Sequence, residues 1–170
     1  GLARGRPDDG MFGGGVGRSE GRGGLTWVVD PMDGTRAVIS GAPGWGVLIG
    51  WDAGQGPVLG IVDQPFTGER FSGAFGKAVW ERGGELRDIW VRSCAGLEDS
   101  ILMTTFPEVG TQEEAAAFAA VTARCQLTRF GLDCYAYALL AMGQIDLGIE
   151  AGLNAYDVQG PIGLVQGPGV

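Results

Sequence analysis

The first hundred residues are dominated by short β-prone runs separated by glycine and polar breaks. Such runs occur at 25–29, 46–51, 57–62, 70–75 and 77–81, with Gly83-Gly84 as a turn, and they predict a meander of antiparallel strands. The first run stops at Asp30-Pro31, because proline offers no N–H to a central ladder, so a strand is expected to deliver Asp30 at its carboxyl end. Ahead of it, residues 1–24 carry Gly13-Gly14-Gly15 and Gly23-Gly24 and are expected to form a glycine-rich loop. From Ser100 the texture changes. Residues 101–103 predict a buried strand, and 111–125 an alanine-rich helix with Thr111 and Glu114 spaced as a capping box. A short strand at 127–130, a helix over 133–142 ended by Gly143, and a strand at 145–150 complete the pattern. Mixed strands and helices imply a layered α/β or α+β sandwich. There is no internal repeat and no linker, so residues 1–170 are read as one domain, or part of one.

Composition then narrows the chemistry. With 45% hydrophobic residues, 170 residues bury one sizeable core. A net charge of −8 argues against nucleic acid or an anionic membrane as partner, and it means that anionic substrates would be handled through bound cations. The absence of histidine excludes Ser-His-Asp and Cys-His catalysis and the commonest zinc sites, which leaves carboxylates, hydroxyls and bound ions. Three widely spaced cysteines, Cys94, Cys125 and Cys134, fit reduced thiols better than a disulfide framework. No apolar run approaches the roughly 20 residues of a membrane span and no signal peptide is evident, so the expectation is a soluble, cytoplasmic protein.

The segment Asp30-Pro31-Met32-Asp33-Gly34-Thr35 carries the candidate chemistry. Two carboxylates three apart around a chain reversal, with the Met32 carbonyl between them, can converge on Mg²⁺, which prefers octahedral oxygen coordination and shares its ligands with phosphate. Backbone N–H groups of Gly34 and Thr35 could face the same phosphate if they open a helix or turn. Taken alone, Asp-Pro and Asp-Gly are also ordinary turn dipeptides.

The wider context resolves that ambiguity. Trp27-Val28-Val29-Asp30-Pro31-Met32-Asp33-Gly34-Thr35-Arg36-Ala37 resembles the first signature of the inositol monophosphatase family. Glu150-Ala151-Gly152-Leu153-Asn154-Ala155-Tyr156-Asp157-Val158 resembles its second, in which an aromatic–Asp pair opens a helix and the Asp binds metal. The segments 129–137 and 36–41 look more like the histidinol-phosphatase branch than the inositol-specific members. The resemblance spans nearly the whole chain but corresponds to the middle of a family member, as if truncated at both ends.

That resemblance implies a layered sandwich of the inositol monophosphatase, or sugar-phosphatase, type. It implies Mg²⁺-dependent hydrolysis of a small phosphomonoester, histidinol phosphate first and inositol or polyol phosphates otherwise, with a place in histidine biosynthesis. Asp30, Asp33 and Asp157 would bind metal with the Met32 carbonyl. Asp33 and Thr35 would be catalytic, Gly34 and Thr35 would hold phosphate, and Asp133 and Glu150 would face the rest of the substrate. Family members are often homodimers, which sets that expectation for assembly.

Each residue also has a plainer reading. Asp157 and Asp133 could cap the helices that follow them, Glu150 could be a solvated edge charge, and Tyr135 and Tyr137 read as packing residues. Three departures bear on activity. Phe12-Gly13-Gly14-Gly15-Val16-Gly17 stands where the family pattern reads Gly-Glu-Glu, so carboxylate ligands are missing. Pro161, soon after Asp157, is expected to crowd the helix and mis-aim that carboxylate. Against the family pattern, a leading segment with an acidic residue that orients the attacking water is also expected to be lacking. A haloacid-dehalogenase-type site needs its aspartates two apart and does not match. The stronger rival is a catalytically lapsed member that binds a small molecule or a metal, and metal binding separates both from a purely structural protein.

Overall fold

The computed structural model describes residues 2–15, 17–108 and 110–167; the extreme ends of the 1–170 unit and Val16 of the glycine run lie outside the described residues. In chain order the elements are α1 (Leu2–Gly5), β1 (Gly10–Gly13), β2 (Gly17–Ser19), β3 (Thr26–Asp33), α2 (Thr35–Ser40), β4 (Gly46–Asp52), β5 (Pro57–Gln64) and β6 (Glu69–Ala74). There follow β7 (Lys77–Arg82), β8 (Glu85–Asp88), β9 (Ile101–Thr104), α3 (Gln112–Thr122), β10 (Leu127–Phe130), α4 (Tyr135–Ala141), β11 (Leu147–Gly148) and α5 (Ala155–Gln166). The large sheet runs β2-β1-β3-β4-β5-β6-β7-β8. From β3 to β7 it is the antiparallel meander that the short β-prone runs predict, and after the Gly83-Gly84 turn β8 adds one further antiparallel strand.

The inner face of this sheet is built from two registered rows. Leu48, Val62, Phe71 and Trp80 pair in succession across β4 to β7, and all are buried. Two residues along each strand, Gly50, Gly60, Gly73 and Ala78 form a second row of small residues. The large row makes the core with Cys134, Ala138, Ala141 and Leu164 from the α4 and α5 region. The small row is a trough for α5: a β-carbon at Gly60 would collide with the Gly160 carbonyl, and one at Gly73 would stand 2.5 Å from the Leu164 carbonyl. The backbones therefore approach closely enough to fix where the amino end of α5, and Asp157 on it, must lie.

A second, all-parallel sheet, β10-β9-β11, stacks beyond these helices. Alternate side chains of β9 face opposite ways. Leu102 packs with Phe118 and Val121 of α3, whereas Met103 packs with Ala136 and Leu139 of α4. The layers are thus large sheet, α4 with α5, small sheet, α3, which is the expected layered α/β sandwich. The capping box on α3 is present: Glu114 N–H donates to Thr111 Oγ1 (3.2 Å), and the Thr111 N–H donates to Glu114 Oε2 (2.6 Å).

Four local expectations need correction. Residues 1–24 are not all loop: β1 and β2 form an antiparallel hairpin, and β1 pairs in parallel with β3. Glycine is a poor strand former alone, but this pairing overrides propensity, and at Gly13 a β-carbon would strike the Val29 carbonyl. β3 does not stop at Pro31; a register shift between Asp30 and Asp33 forms a bulge in which the missing N–H is not needed. The strand expected at 145–150 shrinks to Leu147–Gly148, because Ile145 turns into the core and Asp146 accepts the Ile101 N–H (2.7 Å). α5 continues through buried Pro161, because Gly160, Gly163 and Leu164 around it pack closely on the glycine trough.

Candidate metal centre and substrate pocket

The bulge at the end of β3 turns Asp30 and Asp33 toward the amino end of α5. Carboxylate oxygens of Asp30, Asp33 and Asp157 lie within 4.8 Å of one another. Each acid is also fixed by a backbone donor. Asp30 Oδ1 accepts the Met32 N–H (3.0 Å), Asp33 Oδ2 accepts the Cys134 N–H (3.0 Å), and Asp157 Oδ2 accepts the Asn154 N–H (2.7 Å). Pro161 therefore does not mis-aim Asp157; it falls a full turn further along α5, with the helix start already set by Asn154.

Three converging acids are costly without a cation. Burial pushes the Asp33 carboxyl from 3.8 up to about 6, against the lowering effect of Cys134, and the charges of Asp30 and Asp133 push the same way. Asp30 is raised too, first by burial and then by Asp157, while its bond from Met32 opposes the rise. A cluster of oxygen donors with frustrated negative charge fits a hard divalent ion such as Mg²⁺. Gly34 follows in the left-handed region (φ 80°), and exposed Thr35 opens α2, so the free N–H groups of that helix start beside Asp33.

Beside the cluster lies a cavity of about 140 Å³, lined by Asp33, Asp133, Glu150 and Asp157 together with Thr105, Phe106, Cys134, Tyr137, Ala151 and Leu153. Met32, Gly34 and Thr35 are not in its wall; a β-carbon at Gly34 would stand 3.1 Å from Asp133 Cβ, behind the pocket. A larger cavity of about 400 Å³ opens between α4, α5 and β11, but its walls contain no carboxylate, so the acid chemistry belongs to the smaller one.

The plainer readings can now be weighed. Asp133 does not cap α4: its side chain makes no hydrogen bond among the described residues, it lies in the pocket wall, and burial raises its carboxyl while Arg36 opposes the rise. It is held there by a left-handed turn in which Leu132 (φ 75°) and Asp133 (φ 45°) follow Gly131. Asp157 is not the cap of α5; Asn154 is, and Asp157 reaches back to it from the third helical position. Glu150 is no solvated edge charge, since Thr105 donates to its Oε1 twice. Tyr135 is a packing residue whose hydroxyl donates to Glu69 (2.8 Å), but Tyr137 lines the pocket.

Thr105, Phe106, Cys134 and Tyr137 are pocket residues that the sequence reading missed. Tyr137 lies four positions after Asp133, a spacing that would share one face on the helix expected over 133–142, although α4 begins only at Tyr135. Thr105 follows the carboxyl end of a parallel strand, where such folds place ligands. At the departure near the amino end, a β-carbon at Gly14 would stand 3.5 Å from the Tyr156 ring and 3.7 Å from Asp30 Oδ1, so position 14 borders the cluster and contributes no carboxylate to it.

The family model for the inositol monophosphatase family matches residues 1–169. The bifunctional phosphatase IMPL2, chloroplastic, of Arabidopsis thaliana is 41% identical over 143 residues, covering 84% of this chain and 40% of that protein. The histidinol-phosphatase of Mycobacterium tuberculosis is 29% identical over 163 residues, 92% of this chain and 62% of the relative. Among solved structures, an inositol monophosphatase from Zymomonas mobilis superposes with a TM-score of 0.88 at 38% identity, over 99% of this chain and 64% of that one. The chain thus spans less than two thirds of the length of these relatives.

Proposed function

The chain belongs to the inositol monophosphatase family, and from that premise we propose that it hydrolyses a small phosphomonoester with Mg²⁺, histidinol phosphate being the first candidate and inositol or polyol phosphates the alternatives. The convergence of Asp30, Asp33 and Asp157 is the observation that carries the reading. These three, with the Met32 carbonyl, are the proposed metal ligands. When bound, Mg²⁺ would activate water and stabilise the leaving alkoxide. Gly34 and the α2 start would hold phosphate through backbone N–H groups, and the Thr35 hydroxyl would orient the attacking water. Asp133 and Glu150, in the pocket wall, would meet the remainder of the ester; their charge suits a cationic amine by complementarity.

Three free cysteines support placing this activity in a reducing cytoplasm, and among the described residues no helix is long and apolar enough to cross a membrane. We propose a place in histidine biosynthesis and a homodimeric assembly on family grounds alone. A second reading, a lapsed member that binds metal or a small molecule, is favoured by one feature: the bare backbone of Gly14 beside Asp30. The deciding experiment is phosphate release from histidinol phosphate and inositol 1-phosphate, with and without millimolar Mg²⁺, against an Asp33→Asn control. Mg²⁺-dependent turnover lost in the control supports the enzyme. Folded protein that binds Mg²⁺ without turnover supports the second reading.

A further inference from the structure

The wall of the pocket contains a pair of bonds that involve none of the proposed metal ligands. Thr105 donates twice to one oxygen of Glu150: its backbone N–H at 2.7 Å and its hydroxyl at 2.6 Å, both to Oε1. Oε2 has no protein partner among the described residues, and Glu150 lines the cavity. The two residues are 45 positions apart in the chain; Thr105 directly follows β9 and Glu150 lies just beyond β11, so the bonds tie together adjacent strand ends of the small sheet. A glutamate with three side-chain rotors would otherwise sample many positions. Two short charge-assisted bonds on one oxygen fix the carboxylate plane and leave the other oxygen as an oriented acceptor.

We propose that Thr105 is a positioning residue for substrate selection: by holding Glu150 Oε1 it presents Oε2 to a hydrogen-bond donor, an ammonium, ring N–H or hydroxyl, on the leaving group of the phosphate ester. The neighbouring surfaces fit that class. Asp133 adds a second acceptor, while Phe106 and Leu153 supply apolar wall. Arg36 does not compete for the Glu150 acceptor, because its guanidinium stacks 4.7 Å over the Phe106 ring. The inference rests on the phosphatase reading and sharpens its specificity.

The test compares the full chain with Thr105→Val, which keeps the shape and the N–H but removes the hydroxyl, and with Thr105→Ser, which restores it. Steady-state rates are measured on histidinol phosphate, whose leaving group carries donors, and on phenyl phosphate, whose leaving group carries none. Loss of one charge-assisted bond is expected to raise KM for histidinol phosphate about tenfold relative to that for phenyl phosphate, with kcat little changed and the ratio recovered in the serine variant. A purely structural role would move both substrates together, and that result overturns the proposal, as does an unchanged ratio in Thr105→Val. If neither ester is turned over, calorimetric binding of histidinol phosphate and of inorganic phosphate in Mg²⁺ replaces the rates. Phosphate binding whose histidinol preference ignores Thr105 overturns this inference alone, whereas no phosphate binding overturns the phosphatase reading and this inference with it.

Discussion

Two groups of glycines in this chain have opposite consequences. Across the large sheet, Gly50, Gly60 and Gly73 stand in register and are matched on α5 by Gly160 and Gly163, so two backbones touch where side chains would keep them apart. The absence of side chains there builds the fold and sets the position of Asp157. At the end of β1, Gly13 likewise must be bare, pressed on the Val29 carbonyl, but its neighbour Gly14 has ordinary room beside Asp30 and Tyr156. The absence of a side chain at 14 is not demanded by packing, and it leaves this position beside Asp30 without a carboxylate. Glycine as structural necessity and glycine as chemical vacancy are therefore separable by what a β-carbon would meet.

Breaking the first group should have the largest effect. Gly60→Val forces α5 off the sheet and is expected to cost more than ~3 kcal/mol in denaturant unfolding; near-wild-type stability would show that the close approach is not required. Next comes the cluster that this helix positions. Asp33→Asn should lower Mg²⁺-dependent turnover at least ~100-fold. The same variant tests the charge frustration in metal-free buffer. The folded Asp33 titrates near 6 instead of 3.8, so the folded chain holds a proton that the unfolded chain has lost between those values. The Asp33 contribution to stability is therefore fully present below about pH 4 and is lost as pH rises through about 6, and in melting curves Asp33→Asn should flatten that part of the slope. Gly14→Glu sharpens the comparison from the other side: the room at 14 predicts a folded protein with Mg²⁺ affinity raised about tenfold by one added oxygen ligand, read by calorimetry. An unchanged affinity would mean that position 14 is not a ligand gap. Smallest is Thr111→Ala, remote from both groups, which removes one half of the α3 capping box at about 1 kcal/mol with Mg²⁺ binding unaltered.

Much of this architecture was legible in the sequence because the relevant signals are local. The strands β4 to β7 follow from short β-prone runs between turns, and the α3 box from two residues three apart. The candidate acids were found from motif context, and Asp30, Asp33, Asp133, Glu150 and Asp157 all border the cluster or its pocket. What escaped was non-local. β1 exists through its pairing with β3, Cys134 reaches the site through a backbone N–H given to an acid 101 positions earlier, and Thr105 matters through a glutamate 45 positions later. The fate of Pro161 escaped for the same reason: propensity forbids it, while Gly160, Gly163 and Leu164 around it pack on the sheet and carry the helix through.

The sequence by itself determined the donor chemistry, which is carboxylates and hydroxyls with no histidine, and the alternation that makes a layered sandwich. Only the tertiary structure decided which acids meet, which glycines are obligatory and which oxygen of Glu150 is left free. Residue type and spacing fix what a side chain can do and where its own strand or helix points it. Convergence within a few ångströms depends on backbone packing between segments far apart in the chain, and no local pattern encodes that distance.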